Sequence, residues 1–189
     1  DRTRGFVVFV ALLLMIQLQA LYADRAANAV SPFELAAAAL RNGDVERAHS
    51  LVRRGMSRPD AAPVLPRGLT DADARQLAAV VDDPLPHGNA WNEYVFANLL
   101  IRAGQLDRAG RYAADSYAER PASLIAATVA RAAAGLGDDR TAIAWLRAAA
   151  DVGTADPGLA TIIDQAPELT ALRTHPEVVA LRLRLTRAA

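Results

Sequence analysis

At 189 residues the chain has the size of one domain with a small appendage, and its 21 basic residues, every one arginine, balance 21 acidic ones, so no basic excess recruits nucleic acid. It contains no cysteine, which excludes disulfides, thiolate zinc sites, iron–sulfur clusters and cysteine nucleophiles. The hydrophobic fraction of 52% is largely alanine and the aromatic fraction is only 5%, a composition for closely packed helices rather than sheets.

Residues 6–23, FVVFVALLLMIQLQALYA, run for eighteen positions without a charge. At ~1.5 Å per residue this makes a helix about 27 Å long, close to the ~30 Å hydrocarbon thickness of a bilayer. The segment 1–28 is therefore read as a transmembrane anchor. Arg2 and Arg4 precede the run while Asp24 and Arg25 follow it, so the positive-inside tendency puts the N-terminus in the cytoplasm and the remainder across the membrane. Gln17 and Gln19 fall in the second half of the run, where their amides need either another membrane helix or interfacial water. The main alternative is a secretory signal peptide processed near Leu21-Tyr22-Ala23. A buried core helix is a third reading, but such helices rarely stay apolar on every face for five turns.

Beyond the run, Ser31-Pro32 reads as an N-cap followed by a first-turn proline. One helix ends near Gly43 and a second runs from Asp44 to near Gly55. Pro59, Pro63 and Pro66 break the chain before a short helix that starts with Thr70 as N-cap and Asp71 and Asp73 in its first turn. After a second loop containing Pro84 and Pro86, AWNEYVFANLLIRAGQLDRAGRYAADSYAERP reads as two amphipathic helices around Gly104, closed by Pro121. A further pair flanks Gly137, and short helices are predicted over 157–165, 167–173 and 176–187. Period-two alternation is nowhere sustained, so no sheet is expected.

Three glycine turns are in phase. Gly43 to Ala48, Gly104 to Ala109 and Gly137 to Ala142 are each five positions apart. Ala109 to Ala142 is 33 positions, whereas Ala48 to Ala109 is 61, so roughly 27 residues interrupt the array between the first and second copies. The central copy has Trp91, Phe96, Ala97, Leu100 and Ala109 ahead of Pro121. The third keeps Ala130, Leu146 and Ala149 but has Thr154 at the closing position; the first keeps Val52, with Pro59 one position early.

On these residues the chain resembles the tetratricopeptide-repeat family, whose period is about 34 residues. The resemblance implies an all-α fold: a membrane helix over 1–28, then a short helical-hairpin solenoid over 29–189. Its repeats fall at about 29–60, 90–121 and 123–154, with an inserted loop and helix at 60–89 and a capping tail at 157–189. In that family the first helix of each hairpin lines a concave groove. The resemblance thus implies a partner-binding groove of Phe33, Ala37 and Arg41 from copy one, Trp91, Tyr94, Asn98 and Arg102 from copy two, and Ala127 and Arg131 from copy three. Asn98 and Arg131 fall where members that grip a peptide carboxylate hold asparagine and a basic residue, while Phe33 and Ala127 replace the lysines of that arrangement.

No catalytic or metal site emerges. His49, His87 and His175 lack a second histidine or a carboxylate at ligand spacing, and the paired acids Asp71/Asp73, Asp82/Asp83 and Asp138/Asp139 sit at helix starts or turns, where aspartate caps backbone amides. Phosphate-binding and nucleophile-elbow motifs are absent. The expectation is a non-catalytic protein with no cofactor: a scaffold or accessory subunit for protein partners in a membrane complex. It would sit in a bacterial inner membrane by residues 6–23, with the helical domain periplasmic. The alternatives are a periplasmic assembly chaperone that grips a client peptide, similar to the anchored repeat proteins of cytochrome c maturation, and a secreted repeat protein with a cleaved signal peptide.

Overall fold

The computed structural model describes residues 31–57, 65–81, 89–153 and 157–188. The chain divides into two compact units at Ser31/Pro32, and the fold below is that of the second. The apolar run 6–23, with Gln17 and Gln19, lies outside the described residues, among which no helix is long and apolar enough to cross a membrane. Every described element is helical, as the absence of period-two alternation predicts.

Three antiparallel hairpins form the frame: α1 (Pro32–Arg41) with α2 (Val45–Met56), α4 (Ala90–Arg102) with α5 (Leu106–Glu119), and α6 (Ser123–Gly135) with α7 (Asp139–Val152). Between the first two hairpins lies α3 (Asp71–Val80). A tail of α8 (Pro157–Gln165), a 3-10 helix (Pro167–Thr174) and α9 (Pro176–Ala188) follows. The hairpin packing is compatible with a helical-repeat fold.

One turn chemistry closes all three hairpins. Gly43, Gly104 and Gly137 have φ of 77, 78 and 81°, the left-handed region that a side chain resists. In each turn the glycine N–H donates to the third residue back and the next N–H to the fifth: Gly104 to Ile101 O and Gln105 to Leu100 O, both at 2.9 Å. This Schellman arrangement satisfies the orphan carbonyls of the first helix. The residue after the glycine then opens the second helix, and Asp44 and Asp138 accept from the Arg47 and Thr141 amides at 3.0 Å. Those Thr141 contacts hold the exposed Asp138 carboxyl below its ordinary 3.8. Just beyond, Ala48, Ala109 and Ala142 on the second helices are fully buried, as are Ala36, Ala97 and Ala130 on the first, which suits close packing of the two helices.

The second and third hairpins stack directly through α5 and α6, and Tyr117 meets Trp145 edge to face at 5.0 Å between centroids. The first hairpin joins the second by aromatic packing: Phe33 stacks on Phe96 at 6.1 Å, which meets Tyr112 edge to face at 5.1 Å. Asn92 also donates across this joint to Met56 O at 3.0 Å, while within the second hairpin Ser116 donates to Ala90 O at 2.7 Å. Helix α3 packs on α1 and α4, the first helices of their hairpins; the 3-10 helix packs on α6, the first helix of the third. In the tail, Arg173 donates to Ile163 O and Ala166 O, capping the end of α8, while Leu159, Ile163, Leu169, Val178 and Leu185 fill a second core.

The glycines yield opposite mutational signs. A Cβ at Gly104 meets nothing within 4 Å, so Gly104→Ala tests the positive φ alone and should cost about 1–2 kcal/mol. At Gly110, inside α5, the nearest atom to an added Cβ is Ala132 Cβ at 3.7 Å, so Gly110→Ala should gain about 0.5–1 kcal/mol. Thermal unfolding by circular dichroism should show the first variant's midpoint lowered and the second's raised.

Candidate partner-binding face

The first helices α1, α4 and α6 carry the residues that the repeat resemblance assigns to a groove, and their locations divide them into two groups. Phe33 and Tyr94 are 3% and 5% exposed and belong to the core. Phe33 stacks on Phe96, and Tyr94 meets Trp91 edge to face at 5.8 Å. Trp91 is half-buried, with the Arg120 guanidinium 5.7 Å over its ring. Arg41, Asn98, Arg102 and Arg131 form the second group, and all four bond to other parts of this chain.

Arg41, from the last turn of α1, donates to Asp73 Oδ1 and Oδ2 at 3.0 and 3.2 Å. Arg102, at the end of α4, donates from Nε to Asp71 Oδ1 at 2.9 Å and from Nη2 to Leu69 O at 2.6 Å. Both arginines therefore hold the start of α3. Its other end is held by Arg108 of α5, which donates to Ala78 O and Val81 O at 2.9 Å each and also to Gln105. An arginine among the last carbonyls of a helix offsets the negative end of the dipole. At the third hairpin, Arg131 grips Glu168 of the 3-10 helix through Nε and Nη2 at 3.0 and 3.3 Å. Its Nη1 donates to Asn98 Oδ1 at 2.7 Å, and Asn98 Nδ2 donates to Tyr94 O at 2.9 Å and to Thr128 Oγ1 at 3.3 Å.

Asp73 has two jobs. With Thr70 it forms a reciprocal capping box, accepting from the Thr70 amide at 2.9 Å and hydroxyl at 2.8 Å, while the Asp73 amide donates back to Thr70 Oγ1 at 3.1 Å. The same carboxylate pairs with Arg41, with its own side chain 5% exposed and that of Arg41 53%. Burial pushes the Asp73 carboxyl up, but the Thr70 bonds and the Arg41 charge together outweigh it and hold the group below 3.8.

In the sequence Asp71 and Asp73 are legible as first-turn caps but not as partners of Arg102 and Arg41, and nothing there singles out Arg108, Thr128 or Glu168. The pairs are separated by 31, 32 and 37 positions, and no local pattern connects residues so far apart. The one available signal was the first-helix arginine itself, since a cation beside an alanine-lined face needs a partner.

No group of acidic residues and histidines suited to a metal ion occurs among the described residues. His49 and His175 are half-buried, and His175 Nδ1 accepts from the Glu177 amide at 3.4 Å; His87 lies outside the described residues. An open cleft of about 340 Å³ lies between α7 and α9, lined by Arg147, Asp151, Glu177, Ala180, Leu181 and Arg184. Its charges already pair as Arg147–Glu177 and Arg184–Asp151. The cleft fastens the tail and presents no nucleophile beside a base.

No known family model matches the chain, no curated protein matches it in sequence, and no solved structure matches its fold.

The contacts predict two effects. Because Asp73 is depressed in the folded state, its contribution is fully present above the unfolded value near 3.8 and is lost as pH falls through the lower folded value. Asp73→Asn should be less stable than the parent at neutral pH, and the gap between the two thermal midpoints should narrow as pH falls below 3.8. Arg131→Met leaves Glu168 and Asn98 Oδ1 without their donor, with side-chain exposures of 16% and 15% for the parent ion pair. A loss of about 2–3 kcal/mol is expected in chemical denaturation, smaller in Arg131→Met/Glu168→Gln.

Proposed function

We propose that this chain is a non-catalytic adaptor with a tetratricopeptide-like hairpin array. It works as an accessory subunit of a membrane protein complex and is held at the inner membrane by residues 6–23, with its helical domain on the periplasmic side. The reading rests on the Gly-turn hairpins in phase and on the apolar run that precedes them in the sequence.

One observation favours an accessory subunit over a chaperone for passing peptides. Asn98, Arg102 and Arg131 already bond to the chain's own α3, 3-10 helix and neighbouring helices. A ligand that needs this face must first displace a resident segment, and its apparent affinity falls by the fraction of molecules that are open. A short client peptide has little binding energy to meet that cost. A folded subunit with a broad interface has more, and it can also use surfaces outside the face.

The test is purification of the tagged full-length protein from membranes dissolved in mild detergent. The expected result is a stoichiometric protein partner that stays bound in Trp91→Ala, with the intact chain in the membrane fraction. Recovery as a partner-free monomer rejects the adaptor reading. Substoichiometric, exchanging clients lost in Trp91→Ala or Arg102→Glu favour the chaperone, and a soluble, shortened chain favours the processed signal peptide.

A further inference from the structure

Helix α3 is bound to the hairpins in the manner of a ligand. Its anchors come from three different helices: Arg41 of α1 and Arg102 of α4 at its start, Arg108 of α5 at its end. They meet two first-turn carboxylates and two last-turn carbonyls. Between these ends α3 buries Ala74, Leu77 and Ala78, and its flanking Leu69 and Val81 join the same core as the Phe33–Phe96–Tyr112 stack, whose ring contacts link the first two hairpins directly. Its own capping box satisfies the Thr70 and Asp73 amides within the segment.

We propose that the face formed by α1, α4 and the start of α5 is a helix-recognition surface that this chain occupies in cis with α3, and that a helix of the partner subunit takes the same place in the complex. The chemistry defines the occupant. It is a short helix with acidic residues at two first-turn positions, i and i+2, a small Ala-Leu-Ala face, and last-turn carbonyls open to an arginine. Charge complementarity carries the assignment: Arg41 and Arg102 read the two carboxylates, and Arg108 reads the opposite pole of the same helix. This rests on the adaptor reading for its partner but is tested without one.

The resident α3 competes at the effective concentration set by its tether, of millimolar order, so a free peptide at micromolar concentration cannot displace it. Reversing its two charges in the full chain, Asp71→Lys/Asp73→Lys, sets α3 against Arg41 and Arg102 and opens the face. The probe is a fluorescent peptide of residues 65–81, LPRGLTDADARQLAAVV, followed by anisotropy on the detergent-solubilised chain. Binding should be tighter to the charge-reversed chain than to the parent by roughly tenfold or more. It should be lost when the peptide carries the same two reversals, and should weaken as salt rises.

Equal binding to parent and variant would place the peptide elsewhere and overturn the proposal. So would no binding to a variant that keeps its helical circular dichroism and cooperative unfolding, or a variant that unfolds outright, since α3 would then be an integral part of the core. A concentration-dependent dimer of the parent chain in sedimentation would make the occupant a second copy's α3 and overturn the separate-partner assignment. Failure of the peptide assay leaves the membrane copurification free to succeed, so the two readings fail separately.

Discussion

Each hairpin in this chain turns on a glycine whose φ lies between 77 and 81°, and the rest of the fold depends on that constraint. The left-handed residue reverses the chain within two positions and lets its own N–H and the next one close carbonyls of the first helix. The second helix then returns at a separation small enough that alanine must stand at the crossing, as Ala48, Ala109 and Ala142 do. The alanine excess of the composition is thus a consequence of close helix approach. It also explains the large share of small side chains in the core, with the few aromatics placed where hairpins meet one another.

A hairpin built this way has two apolar faces and hides only one of them within itself. Stacking covers part of the other, through α5 on α6 and through the Phe33–Phe96–Tyr112 contacts. What remains is the face of the first helices, and the chain covers it with segments outside the hairpins. Helix α3 lies over the first two hairpins and the 3-10 helix over the third. Both are fixed by the same chemistry, an arginine from a first helix on a carboxylate of the cover: Arg41 on Asp73, Arg102 on Asp71, Arg131 on Glu168.

These ion pairs differ in worth. Arg131–Glu168 is mostly shielded from water and joined to Asn98 and Thr128, so its loss strands buried polar atoms and the network acts as a unit. Arg41 and the Asp71 carboxylate are more than half exposed, where Coulomb attraction is screened and such pairs contribute little stability. They specify the direction and register of α3 more than they hold it. The third hairpin is therefore locked under its tail by a shielded network, whereas the ion pairs on α3 are exposed ones beside its buried Leu77 and Ala78.

The sequence by itself determined the elements: which segments are helical, where Gly43, Gly104 and Gly137 turn the chain, which aspartates and threonine start helices, and that an extra helix interrupts the array. These are local decisions, made by dihedral preference, capping and a 3.6-residue period within a few positions, so they survive without tertiary information. Only the tertiary structure decided the state of the face that the repeat resemblance would have left open. Phe33 and Tyr94 went to the core, and Arg41, Arg102, Asn98 and Arg131 went to partners up to 37 positions away. The physical reason is that a guanidinium specifies only that it needs an acceptor. Which carboxylate supplies it depends on how the intervening helices pack, and no local periodicity records that.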